Sequence, residues 1–158
     1  MIEYDYKLEI LGDPKAQGRP RARRMGKFVS VYDDPKSAKA KKTLQAVVQE
    51  NAPKELLNSA LRVDLYFYLP RPKGHFRTGR YANQLKESFC YIHHTKRPDI
   101  DNLRKLVMDA LTGVFWRDDS LVCVGLTIKE YSIKPRTEIF IKILKEISHD
   151  VQGMSERK

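Results

Sequence analysis

Five aspartates lie within the 24-residue segment 96–119, KRPDIDNLRKLVMDALTGVFWRDD, of a 158-residue chain whose formal net charge is +10. Because lysine and arginine outnumber the acids 30 to 20, this concentration of carboxylates indicates a site rather than average surface composition. Carboxylates gathered in one place repel each other, and a hard divalent cation relieves that repulsion. Mg²⁺ prefers one or two carboxylates, several waters and phosphate oxygens, so the segment predicts a metal-dependent site for a phosphate-bearing substrate.

Apolar spacing within this segment predicts a helix that begins near Ile100 and ends at Gly113, since glycine favours helix termination. The buried stripe of this helix would consist of Leu103, Leu106, Val107, Ala110 and Leu111. Pro98 disfavours helical backbone in the residue before it. Asp99 therefore emerges from an extended segment and can act as the N-cap of the helix.

The positions of Asp99 and Asp101 decide whether their carboxylates converge. Two residues apart inside a helix, they would diverge by about 200° at 100° per residue. They converge only if Asp99 precedes the helix. In that arrangement both carboxylates lie at the helix N-terminus, and Asp118 and Asp119 lie beside them if the following turn folds back.

Phe115 and Trp116 come shortly before the second pair of acids in the chain. An aromatic side chain in this turn could stack on a splayed nucleic-acid base, but we predict a core position for both. Packed in the core, they would hold the turn so that Asp118 and Asp119 face the start of the helix.

Each of these polar residues also has a structural alternative. Asp99 alone could be only an N-cap. Lys105 lies four residues from both Asp101 and Asp109, so it could form helix ion pairs worth roughly 0.3–0.5 kcal/mol each, and this is the interpretation we prefer for Asp109. The segment 118–120 could be a solvated turn before a strand.

The segment RPDIDNLRKLVMDALTGVFWRDDSLV resembles the signature of RusA-type Holliday junction resolvases. It has a DxDN element, a lysine four residues after the second aspartate, a DAL sequence and an aromatic-rich turn that ends in Asp-Asp. The sequence QGRPRAR, at residues 17–23, is similar to the basic N-terminal element of many members. Together these segments and the strands around them extend the resemblance over most of residues 1–146.

The resemblance implies a homodimeric, Mg²⁺-dependent endodeoxyribonuclease that resolves four-way DNA junctions in recombination or repair, in a bacterium or a phage, with Mn²⁺ as an alternative metal. It implies that Asp99, Asp101 and Asp119 are the catalytic acids that bind the metal, with Asp118 contributing. Lys105 matches the essential lysine and would stabilise charge on the phosphate. The turn is a residue or so shorter than in some members, and of the two adjacent acids we favour Asp119 as the direct metal ligand.

Basic residues supply a separate argument for a DNA partner, because residues 15–42 carry ten Lys or Arg against two Asp. The segment 18–27 interleaves its basic residues with Gly and Pro and is predicted to be a loop along the phosphate backbone. A second basic loop surrounds Gly74 and Gly79. A merely solubilising surface would mix the two signs of charge. The predicted DNA-binding residues are Arg19, Arg21, Arg23, Arg24, Lys27, Arg71, Lys73, Arg77, Arg80 and Arg97.

Periodicity elsewhere predicts an α+β fold, with a small mixed β-sheet packed against helices in a single domain, 1–147. The remaining residues, 148–158, are polar and are predicted to form a flexible tail. The predicted strands are 3–11, 28–32, 61–69, 121–131 and 137–144, with a further short strand at 89–93, and the predicted helices are 35–51 and the one from Ile100.

Two cysteines, Cys90 and Cys123, suit a reducing compartment. Acids at Glu3 and Asp5 argue against a secretory signal, and no apolar run approaches membrane-spanning length, so we expect a cytoplasmic protein without a membrane partner.

Two other functions compete with junction resolution: a nuclease for flaps or other branched DNA, and a non-catalytic nucleic-acid-binding protein. The two-fold symmetry of a four-way junction favours a homodimer.

Overall fold

The computed structural model describes residues 2–32 and 34–145. The predicted polar tail, 148–158, lies outside the described residues. Within them the helices are α1 (Pro35–Gln49) and α2 (Ile100–Leu111). The strands are β1 (Tyr6–Leu11), β2 (Arg21–Met25), β3 (Phe28–Tyr32), β4 (Leu61–Pro70), β5 (Val122–Val124), β6 (Thr127–Ser132) and β7 (Arg136–Ile143). Two helices with a mixed sheet confirm the predicted α+β class.

The ten-residue strand β4 is the centre of the main sheet. One edge of β4 pairs with β7, which in turn pairs with β1, and both pairings are antiparallel. The other edge pairs in parallel with β5 and then with β6. Because β4 lies between β6 and β7, the segment 133–135 is a short connection across the end of β4 rather than a hairpin turn.

The alternation of core-facing and outward-facing side chains along β4 matches the predicted strand at 61–69. The core-facing side chains of β4, none more than 4% exposed, are Leu61, Val63, Leu65, Phe67 and Leu69. The predicted stripe of α2 is also buried, with Leu103, Ala110 and Leu111 fully so. Helices α1 and α2 pack against each other, and with the sheet they enclose one core. This packing fixes the axis and rotation of α2, and therefore the direction in which its polar face points.

The single strand predicted at 121–131 is wrong, because it is divided into β5 and β6 around Gly125. A Cβ on Gly125 would lie 2.4 Å from the carbonyl oxygen of Val63, so the chain passes closer to β4 than a side chain allows. Beside it, the Asp64 carboxylate accepts a hydrogen bond from the Leu126 N–H at 2.8 Å. A side chain thus replaces a backbone partner, and the ladder is interrupted.

The strand predicted at 89–93 is also wrong. The chain forms a 3₁₀ turn at Glu87–Phe89 and then only an isolated bridge between His93 and Glu130. Arg71 explains the difference, because its guanidinium donates to the carbonyl oxygens of Phe89 at 2.8 Å and Tyr91 at 2.7 Å. A side chain satisfies these carbonyls, so no neighbouring strand is required.

The loop predicted at 18–27 is wrong over residues 21–25, which form β2. Strands β2 and β3 form an antiparallel hairpin whose register pairs Arg21 with Tyr32 and Met25 with Phe28. Gly26 has a φ of 63° at the first central position of the two-residue turn, as a type II′ turn requires. The hairpin is a separate two-stranded sheet in which every residue is exposed.

No helix in residues 2–32 or 34–145 is long and apolar enough to cross a membrane.

A buried carboxylate, Asp64, joins the outer face of the sheet to the β5–β6 connection. It is 1% exposed and accepts hydrogen bonds from the Tyr4 hydroxyl, the Arg62 guanidinium and the Leu126 N–H. Burial alone would raise the pKa of Asp64, but these three hydrogen bonds and the charge of Arg62 outweigh it, and the pKa is lowered. The folded state therefore stabilises the ionised form.

This pKa shift predicts a pH dependence of stability. A carboxyl group whose pKa is lower in the folded state than in the unfolded state stabilises the fold fully at pH values above its unfolded-state pKa, about 4. This contribution is lost as the pH falls through the folded-state pKa. We expect Asp64→Asn to cost about 1–3 kcal/mol at pH 7 and to show a smaller loss of stability than the parent between pH 7 and pH 3. Urea unfolding of both proteins at the two pH values measures this. An equal acid-induced loss would show that Asp64 is not the group responsible.

Candidate active site

Asp99 and Asp101 lie at the start of α2, in the arrangement that lets their carboxylates converge. Asp99 has extended backbone, with φ −73° and ψ 146°, and occupies the N-cap position outside the helix. Its carboxylate makes no capping hydrogen bond. Asp101 is in the first helical turn, and both residues are exposed. Two carboxylates with free oxygens therefore point to solvent at one helix end.

The chain leading into α2 is held by a lysine that the sequence analysis missed. The ammonium group of Lys129, on β6, donates to the carbonyl oxygens of Lys96 at 2.8 Å and Pro98 at 2.7 Å. These two bonds fix the backbone directly before Asp99. A signal existed, because alternation places Lys129 on the same face of β6 as buried Tyr131, and a lysine on the core side of a strand requires acceptors.

A cavity of about 620 Å³ opens beside Asp99. Its lining residues are Ala16, Gln17, Arg19, Arg97, Pro98, Asp99 and Asn102. The Gln17 N–H donates to the carbonyl oxygen of Asn102 at 2.9 Å, which ties the basic N-terminal segment to the first turn of α2. Arg19 and Arg97 thus border the same space as Asp99, an arrangement that suits a phosphate held next to a metal ion. A larger groove, about 790 Å³, runs along α1 and contains none of the predicted catalytic acids.

Trp116 positions the second pair of acids. It is fully buried, as is Phe115, and this confirms their predicted core positions. The indole Nε1–H of Trp116 donates to Asp119 Oδ1 at 2.8 Å, and the Thr112 hydroxyl donates to the same oxygen. The Asp118 carboxylate accepts from the Ser120 N–H at 2.8 Å, and the hydroxyl and backbone of Ser120 lower the pKa of Asp118.

The two pairs of acids lie at opposite ends of α2. Twelve residues at 1.5 Å each make this helix about 18 Å long, and Thr112, which holds Asp119, is its C-cap. Across residues 2–32 and 34–145, no group of three or more His, Cys, Asp or Glu side chains is close enough to hold a metal. The expectation that the turn folds back to Asp99 is therefore wrong within one chain, while the assignment of the acids as catalytic stays a prediction.

Lys105 is exposed on α2. The ion pairs found in the described part of the chain involve Arg21, Arg62 and Arg136, so the alternative in which Lys105 pairs with neighbouring acids on the helix is not observed. Its ammonium group remains available for a phosphate oxygen.

The second basic loop divides into a structural and an exposed part. Arg71 is half-buried, since it bonds backbone carbonyls and lies 5.1 Å from the ring centre of Tyr131. Arg77 and Arg80 are exposed and lie over the ring of Tyr81, at 5.4 Å and 4.7 Å from its centre. Lys73 is also exposed. The predicted DNA contacts of these residues stay predictions.

Known proteins resemble this chain over most of its length. Residues 12–142 match the family model described as Endodeoxyribonuclease RusA. The chain is also 31% identical over 136 residues to the uncharacterized protein YqaN of Bacillus subtilis (strain 168), and this match covers 86% of the chain and 94% of that protein. Both pairs of acids and Lys105 lie within the range matched by the family model.

Proposed function

This chain belongs to the RusA endodeoxyribonuclease family, and from that premise we propose that it resolves Holliday junctions by paired, symmetric, Mg²⁺-dependent nicks. Family membership makes it a DNA-binding endonuclease, and the four-way junction, the metal and the pairing of the nicks are the proposal. The observation that carries the proposal is the pair of exposed carboxylates, Asp99 and Asp101, at the start of α2, where Asp99 lines a cavity that Arg19 and Arg97 also line.

The donor set fits Mg²⁺, because hard carboxylate oxygens that are exposed, and that have no hydrogen-bond partner among residues 2–32 and 34–145, can bind the ion and leave room for its waters. Asp99 and Asp101 would hold it, and Asp119, with Asp118 next to it, would complete the site. Bound there, Mg²⁺ supplies an activated water and neutralises charge on the phosphate. Arg19 and Arg97 orient the phosphate, and Lys105 stabilises the negative charge that develops on it.

A homodimer accounts for the separation of the acids. In one chain, Thr112 and Trp116 hold Asp119 about one helix length from Asp101. If two copies pack with their α2 helices antiparallel about a two-fold axis, Asp119 of each copy lies near Asp99 and Asp101 of the other. Two equivalent composite sites result. Two sites per dimer match the two opposed strands that a resolvase cuts.

Cleavage of an end-labelled mobile four-way junction, beside matched duplex and flap DNA and with Mg²⁺, Mn²⁺ or EDTA, tests the proposal. We expect metal-dependent nicks at symmetric positions on two opposed strands of the junction and no cleavage of the duplex. Preferred cleavage of flaps would retain the site and change the substrate. Tight junction binding without cleavage in either metal would favour a non-catalytic binding protein.

A further inference from the structure

The hairpin formed by β2 and β3, which we call the arm (residues 19–32), has an unusual surface. It contains five Lys or Arg residues and no acid. It also exposes large apolar side chains: Met25, Phe28, Val29, Val31 and Tyr32 are 43–79% exposed. An isolated two-stranded hairpin is only marginally stable in water, and a concentrated apolar surface on a soluble protein indicates a binding site.

On one face of the arm, the register places an apolar pair at the tip and arginines behind it. Met25 and Phe28 are directly paired beside the turn, so their side chains share one face at the tip, where they are 63% and 79% exposed. Counting back in steps of two, Arg23 and Arg21 lie on the same face nearer the base. This face of the arm therefore presents an apolar end with cationic groups behind it.

The base of the arm is fixed close to the predicted cleavage site. Arg21 forms an ion pair with Asp34 at 2.6 Å, and the Gly18 N–H donates to the Ser37 hydroxyl at 2.6 Å. One residue earlier, the Gln17 backbone is bonded to α2 in the turn that contains Asp101. The arm thus projects from a base that is tied to α1 and α2 beside the first pair of acids.

Charge decides between the partners that could cover this surface. The arm of a second copy would bring five more positive charges against the five already present, with no acid in either arm. DNA phosphates complement these charges, and base faces complement the apolar tip. Bases at a branch point are already partly unstacked, which lowers the cost of inserting a side chain between them.

We propose that the arm inserts Phe28, supported by Met25, between bases at the branch point of DNA, while Arg21 and Arg23 hold the flanking phosphates. This inference deepens the proposed function and rests on it for the branched substrate. It assigns junction selectivity to the tip of the arm, and the chemical step to α2 and the turn after it.

The test uses a four-way junction with 2-aminopurine beside the branch point, in EDTA so that no cleavage occurs. We expect the parent protein to raise the fluorescence as the base loses its stacking partner. Phe28→Thr, which keeps a strand-forming residue, should abolish the rise and weaken junction binding roughly ten-fold, with duplex binding unchanged. Phe28→Trp should retain the rise. Ile133→Thr, which changes a side chain that is 75% exposed in the β6–β7 connection, is the matched control and should behave as the parent.

The outcomes separate this inference from the nuclease function. If the parent cuts junctions in Mg²⁺ but produces no fluorescence rise, or if Phe28→Thr produces the same rise, the insertion is refuted and the nuclease remains. A rise without any cleavage in Mg²⁺ would support the insertion and refute the nuclease. If light scattering shows that Phe28→Thr converts a dimer into a monomer, the arm covers a second copy and the inference is overturned.

Discussion

Asp101→Asn is expected to lower the rate of junction cleavage by roughly 10³-fold while junction binding is retained, since a metal-binding acid contributes several kcal/mol to catalysis. Asparagine preserves the shape of the side chain and removes its charge. Because Asp101 is exposed in the first turn of α2 and packs into no core, the fold should not change. The substitution lowers the electrostatic repulsion between the site and the DNA phosphates, so the affinity for the junction should stay equal or increase. Single-turnover cleavage in Mg²⁺ and fluorescence anisotropy in EDTA measure the two effects.

Asp109→Asn is the matched control, because it removes the same charge from the same helix at a half-exposed position. We expect its cleavage rate to stay within about two-fold of the parent, as for a residue with at most a helix ion pair. Equal rates for the parent and Asp101→Asn would refute the carboxylate site. Equal losses in both variants would instead indicate a general effect of charge on α2.

Mixing two inactive variants distinguishes a composite site from a site within one chain. In a dimer with composite sites, a heterodimer of Asp101→Asn and Asp119→Asn contains one site with both changes and one site with neither. We therefore expect the mixture, after subunit exchange, to regain activity and to make a single nick per junction. If each site lay within one chain, both sites of the heterodimer would be damaged and no activity would return.

Sequence patterns predicted the elements whose burial is periodic. Strand β4 and helix α2 are set by alternation and by a 3.6-residue repeat, because each buries one continuous face. The N-cap position of Asp99 followed from the proline before it. Local chemistry therefore determined both the start of α2 and the position of Asp99 outside the helix, which allows its carboxylate to converge with that of Asp101.

The remaining features depend on contacts between residues distant in the chain, which periodicity does not contain. The break between β5 and β6 arises from Asp64, about 60 residues earlier. The predicted strand 28–32 matches β3, whereas β2, with three arginines in five residues and no buried face, has the pattern of a loop even though its backbone pairs with β3. The direction of the turn before Asp119 depends on bonds to Thr112 and Trp116, and a chain segment of that length could equally have reached the start of α2.

Trp116→Ala should have the largest effect on stability among the site residues. The indole is fully buried in the core, beside Leu57 and Phe115, and truncation of a buried tryptophan to alanine costs about 3–5 kcal/mol. For a domain whose total stability is about 5–15 kcal/mol, this loss is severe. Urea unfolding followed by circular dichroism measures it. A loss below about 1 kcal/mol would mean that the side chain does not pack as described.

Trp116→Phe separates the packing role of the tryptophan from its role in positioning Asp119. Phenylalanine keeps most of the apolar contact, so we expect a smaller stability loss, about 1–2 kcal/mol. It removes the Nε1–H that bonds Asp119 Oδ1 at 2.8 Å and leaves only the Thr112 hydroxyl on that oxygen. Loss of a residue that orients a metal ligand lowers metal affinity by roughly 10-fold or more. The Mg²⁺ concentration for half-maximal cleavage should therefore rise by about that factor. Junction binding in EDTA should be unchanged. A purely structural tryptophan would leave that Mg²⁺ requirement unaltered at a temperature where the variant is folded, and this result would refute the positioning role of the indole.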